Sequence, residues 1–166
     1  MRIVFVFALL LSSIPALAQS ADALYGQACG PKDASFLVDH VKGQSRTSPD
    51  QGKALVYIIQ TESMPGIITR IGLDGSWGGA IQGNSFIPLS VTPGEHHLCA
   101  ATQDRKHPEA ELVHFKAEAG KVYFYLVRVT ADDVGNGFTM AFDVVDRDEA
   151  LYLIASDPQS VAKPKP

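Results

Sequence analysis

The side chains of this chain with metal, thiol or stacking chemistry are five histidines, two cysteines and one tryptophan: His40, His96, His97, His107, His114, Cys29, Cys99 and Trp77. Imidazoles ligate zinc and copper, but a zinc site takes four ligands, or three with a water. Neighbours on a strand point to opposite faces, so His96 and His97 cannot serve one site without a bulge. If the His96 strand pairs with the His114 strand about the 103–109 loop, a symmetric register sets Leu98 opposite His114. His96 then becomes a diagonal neighbour of His114 on one face. A metal site, and with it a secreted metal-dependent hydrolase, would have to start from His96 and His114, and spacing places no third ligand beside them. The plainer alternative is a buried His96 bonded to turn backbone, with His114 in solvent.

Trp77 stands beside Gly78-Gly79 just after a turn. An exposed indole there offers a platform for a sugar ring, as in a carbohydrate-binding module. Equally, the ring could cover the glycines or enter the core. The loop Asp132-Asp133-Val134-Gly135-Asn136-Gly137 has the oxygen ligands and glycines of a calcium loop. It lacks the spaced carboxylates and the terminal Glu, and any tight turn uses the same residues. Tyr123 and Tyr125 share a strand face with Val127 and read as packing residues. No Gly-x-Ser-x-Gly elbow, His-Glu-x-x-His, phosphate-binding glycine loop or Cys-x-x-Cys occurs. No catalytic residue and no cofactor is therefore expected, and the reading leans to a non-enzymatic domain.

The compartment decides what the cysteines mean. Met1-Arg2 is a short basic start, Ile3–Leu11 is uninterrupted apolar sequence, and Ala16-Leu17-Ala18 is a small-x-small cleavage pattern. Residues 1–18 read as a secretory signal peptide, too short in apolar length for the roughly 20 residues of a membrane span. Cys29 lies too far beyond Ala18 for a lipoprotein attachment site. In an exported, periplasmic or extracellular chain two cysteines favour one bridge, Cys29 to Cys99. The alternative is a reactive thiol near His96 or His97. With 166 residues, 14 Lys+Arg against 18 Asp+Glu and a net charge of −4, the chain suits one core and does not attract nucleic acid.

The elements that must position these residues are mostly strands. Phe36–Val38 suits a short edge strand, and Leu55–Gln60 one buried on both faces. Ile67–Leu73 and Trp77–Gln82 flank Asp74-Gly75, a type I′ hairpin turn signal. Ser85–Val91 follows Gly83-Asn84, and Pro93-Gly94 turns into His96–Thr102. Glu111–Lys116 alternates Val113 and Phe115 against Leu112, His114 and Lys116. Val122–Val129, apolar on both faces, reads as central, and Phe138–Val145 as half-buried. Asp146 and Glu149 make a capping box for a helix that buries Ala150, Leu151 and Ile154 and stops at Pro158. The expected fold is all-β, a sandwich of about eight or nine mostly antiparallel strands with one short C-terminal helix. The expected organisation is a leader at 1–18, a lead-in and linker at 19–52 tied by Cys29, the sandwich at 53–156, and a flexible tail at 157–166.

Asp74-Gly75, the small-residue strand with Gly78-Gly79, Pro93-Gly94-Glu95-His96, and Glu118-Ala119-Gly120-Lys121 before an aromatic strand resemble the PEGA-like group of small envelope β-domains. From about Lys53 to Ala155 the chain more closely resembles a family of exported bacterial proteins defined only as a domain of unknown function. The resemblance implies a β-sandwich and an envelope location, and no catalytic residues; the expected role is to bind or organise a protein or glycan partner in the envelope. The resemblance also implies that His96, Leu98 and Ala100 face inward, with His97, Cys99 and Ala101 on the other face.

Overall fold

The computed structural model describes residues 20–42, 48–61, 66–103, 109–131 and 138–166. The leader, the 132–137 loop and His107 lie outside the described residues. The chain runs α1 (Ala21–Ala28), β1 (Phe36–Val41), β2 (Ala54–Gln60), β3 (Ile68–Leu73), β4 (Ser76–Gln82) and β5 (Ser85–Val91). It continues β6 (Gly94–Thr102), β7 (Ala110–Ala117), β8 (Val122–Ala131), β9 (Phe138–Val144), α2 (Arg147–Ser156) and β10 (Gln159–Pro164). A six-stranded sheet, β1-β10-β5-β2-β8-β9, faces a four-stranded sheet, β4-β3-β6-β7. The fold is the expected all-β sandwich.

Three apolar clusters explain the strand patterns. Val56, Ile58, Ile71, Ile81, Leu98, Ala100, Val127 and Val129 fill the space between the sheets. The outer face of the larger sheet buries Leu55, Tyr57, Ile59, Phe86, Phe124 and Leu126 under Ala150 and Ile154 of α2. This second core is why every residue of β2 is buried. It also explains the two apolar faces of β8, which is an interior strand between β2 and β9 rather than the middle of its sheet. On the smaller sheet's outer face, Cys99 and Ala101 pack with Ala28, Cys29, Tyr25 and Trp77.

The turns form as their residues dictate. Asp74 and Gly75 both have positive φ, 49° and 79°, as a type I′ hairpin demands. Asp146 caps α2, accepting bonds from Asp148 N and Glu149 N. Ser20 caps α1, its side chain accepting from Ala23 N.

Three expectations need correction. The stretch read as a loose lead-in contains α1, whose short run of Ala and small polar residues gives little amphipathic signal. Residues 157–166 are not a tail: β10 inserts between β1 and β5, antiparallel to β1 from Val41↔Gln159 to Phe36↔Pro164. Pro158 ends α2 and its carbonyl already accepts from Phe86 N, so the chain enters the sheet at once. The register of β6 with β7 also differs by one residue. Leu98 faces Val113 and His97 faces His114. Residues directly opposite share a face, so the symmetric register would have set solvent-facing His114 beside core Leu98.

Candidate functional site

That register decides the histidines. His96 is opposite Phe115 and buried with the inter-sheet core, whereas His114 is exposed on the outer face, so the two lie on opposite sides of the sheet. The pair brought together is His97 and His114, ring centroids 4.9 Å apart, with Glu95 Oε2 3.2 Å from His114 Nε2. Among the described residues no three His, Cys, Asp or Glu side chains gather to hold a metal ion. His40, on β1, places Nε2 2.7 Å from the carbonyl of Gln82.

His96 has a partner at each ring nitrogen. Nδ1 lies 2.6 Å from Asp74 Oδ2, and Nε2 lies 2.7 Å from the carbonyl of Thr92. A carbonyl only accepts, and so does an ionised carboxylate, so this geometry favours the imidazolium form, with a proton on each nitrogen. Asp74 also accepts from His97 N at 2.9 Å, which ties the β3–β4 turn to β6. Burial works against the charged ring, yet the bonds to Asp74 and Thr92 outweigh it and raise the His96 pKa above 6.5. Burial likewise opposes ionised Asp74, yet the His97 N–H and the His96 ring hold its pKa below 3.8.

A raised His96 pKa contributes stability that is complete below the unfolded value of 6.5 and is lost as pH rises through the folded value. A lowered Asp74 pKa contributes above 3.8 and is lost as pH falls through the folded value. The pair therefore supports the fold most between these limits. The urea midpoint is expected to fall from pH 6 to pH 9. Asp74→Asn should cost about 1 kcal/mol near pH 6 and flatten that slope. An unchanged slope in the variant would remove the pair as its cause.

The predicted disulfide is present between Cys29 and Cys99, with Cα atoms 5.3 Å apart, inside the range a bridge spans. It anchors the lead-in to β6. Gly72 of β3 lies beneath that anchor, where a Cβ would come 2.7 Å from the Ala28 carbonyl oxygen and 3.0 Å from Cys29 Cα. Trp77 holds the next stretch. A bulge between the Ile71↔Gly79 and Gly72↔Trp77 pairs sets its indole on the outer face, where Nε1 donates to the Pro31 carbonyl at 2.9 Å. Gly30 lies against the pyrrole part of the ring, and the Arg70 guanidinium lies 4.6 Å over it. The indole thus packs against Gly30, not Gly78-Gly79. Its remaining surface, with Gly78, Gly79 and Ser160, lines a cleft of about 340 Å³.

Sequence reasoning passed over Arg70, the lone charge in a run of Ile, Thr and Gly. It is only 6% exposed. Nη1 donates to the carbonyls of Lys32 and Ala34 at 2.9 and 3.0 Å, and Nη2 to that of Thr102 at 3.1 Å. Burial holds its pKa below the ordinary guanidinium value, with Tyr25 opposing. Beside it a cleft of about 580 Å³ opens between the lead-in and the start of β7, lined by Tyr25, Ala34, Arg70, Ala101 and Ala110. Lys32, Asp33 and Glu109 stand around it.

No family model, curated protein or solved structure matches this chain. The geometry itself defines the class: a disulfide-bridged all-β sandwich with an apolar cleft roofed by its own N-terminal segment. Among the described residues no helix is long and apolar enough to cross a membrane.

Proposed function

We propose that this chain is an exported, non-enzymatic β-domain of the bacterial envelope that binds or organises a protein or glycan partner, in the periplasm or outside the cell. The observation that carries the reading is the cleft of about 580 Å³ beside the lead-in, a concave and largely apolar surface whose polar groups come from Lys32, Asp33, Ser35, Arg70, Gln103 and Glu109. The bridge supports an oxidising compartment. The histidines support a binding role over a hydrolytic one, since His96 is engaged at both nitrogens and His114 faces the other way.

The test is site-directed photo-crosslinking in the native host, with the probe at Asp33 or Glu109 beside the cleft and at Arg128 on β8 as the distant control. One partner, identified by mass spectrometry and captured from the cleft positions but not from Arg128, is the expected result. Equal capture from all three positions would remove the cleft from the proposal. Stoichiometric zinc or copper in protein purified without an affinity tag would favour the metal-dependent hydrolase instead.

A further inference from the structure

Arg70 specifies what chemistry the cleft recognises. A guanidinium has five N–H donors. Three donate to backbone carbonyls, and the buried Nε has no acceptor, which leaves Nε–H and one Nη2–H without a partner among the described residues. Nε is enclosed, so a carboxylate entering from the cleft, which Arg70 lines, meets the guanidinium through the remaining Nη2 N–H and its positive charge. All three acceptors are neutral, and among the described residues Arg70 has no carboxylate within ion-pair distance. By contrast, exposed Arg128 pairs with Asp143 at 2.7 Å. A buried cation without a counter-charge is costly, and an anion that reaches it relieves that cost in a medium of low dielectric. Trp77 behind the guanidinium holds its plane in place.

We propose that this cleft binds a carboxylate carried on an apolar body, the carboxylate meeting Arg70 and the body lying against Tyr25, Ala34, Ala101 and Ala110. The inference rests on the reading of the cleft as the binding site. The charges around the cleft narrow the ligand. Lys32 is tied to Asp22 at 2.8 Å, and Asp33 and Glu109 are exposed carboxylates. They repel an extended polyanion at the entrance but are screened by solvent from a single charge held deeper. An anion without an apolar body, such as inorganic phosphate, gains nothing from the alanine walls.

Titration of the full mature protein by calorimetry, with amide chemical shifts as the site readout, tests this with two acids and their neutral amides. Octanoate against octanamide represents a free acid, and acetyl-Ala-Phe with a free carboxylate against its C-terminal amide represents a chain terminus. At least one acid is expected to bind at least tenfold tighter than its amide, shifting Tyr25, Ala101 and Ala110; the tighter acid identifies the source. Arg70→Gln should abolish the preference for acid. Ala110→Trp fills the cleft from an exposed position without touching Arg70, and should weaken both acids at least tenfold. Amides that match the acids in both arms would overturn the inference, as would acid binding that survives Ala110→Trp. If neither acid binds while crosslinks still form at the cleft, the carboxylate inference fails and the binding reading stands.

Discussion

Deleting residues 158–166 is expected to destabilise the protein by about 4 kcal/mol or more, with a large drop in the urea midpoint followed by Trp77 fluorescence. The segment looks dispensable: three prolines, two lysines and mostly small residues. In the fold it is the strand between β1 and β5, and among the described residues β1 has no other strand partner. The deletion therefore removes one strand and releases a second. It also breaks the buried contact of Ser160 Oγ with Ser85 Oγ at 2.7 Å, and the bonds from Phe86 N to Pro158 O and from Lys165 N to Ser35 O. At a net of about 1 kcal/mol for each backbone bond, the β1–β10 ladder alone reaches the stated size. The exposed edge of β5 would then be open to pairing with other chains, so aggregation should accompany the loss. A solvated tail would behave oppositely, its removal shifting stability by no more than about 0.5 kcal/mol.

Why β10 escapes sequence reasoning is instructive. Gln159-Ser160-Val161-Ala162-Lys163-Pro164 offers one β-branched residue and no alternation, so local propensity is silent. Its place comes from tertiary supply: β1 presents a free edge and β5 a second one, and a chain leaving α2 beside Phe86 falls between them. Where pattern and burial coincide the reading is sound. Phe115 and Ala117 face in while His114 and Lys116 face out, and Asp74-Gly75 turns because both positions tolerate positive φ. The sheet each strand joins is less legible, because β4 to β5 and β5 to β6 cross between sheets through turns that look like hairpins.

The site was less legible still, for a related reason. Arg70 is one charge in a strand, and nothing in its neighbours says that Lys32, Ala34 and Thr102 will supply carbonyls to it. Asp74 is legible as a turn residue but not as the partner of His96, since that contact depends on how the β3–β4 turn lies against β6. The histidine pair foreseen from spacing failed on a one-residue register. A period-2 pattern fixes which residues share a face, but loop geometry fixes which of them meet.

Replacing both bridged cysteines, Cys29→Ala with Cys99→Ala, should cost about 4 kcal/mol, the chain-entropy figure for the loop they close over a sequence separation of 70. The loss should appear in the global transition, because the lead-in is fastened again on the C-terminal side of the bridge. Just beyond it Trp77 and Arg70 bond to Pro31, Lys32 and Ala34, and further on β1 pairs along β10. Both cysteines are buried, and the Ala28–Cys29 backbone rests on Gly72, so the alanines lose packing as well as the link. Thiol titration of the denatured, unreduced wild type should find almost no free thiol, and two per chain would end the disulfide reading. A midpoint that barely moves, together with protease cleavage confined to residues 20–35, would instead mean that the lead-in detaches by itself. The two outcomes bear on the cleft, because its roof is that same segment. If the roof and the sandwich unfold together, the Arg70 pocket is as permanent as the core. The variant, examined below its midpoint, should then keep the preference for acid over amide.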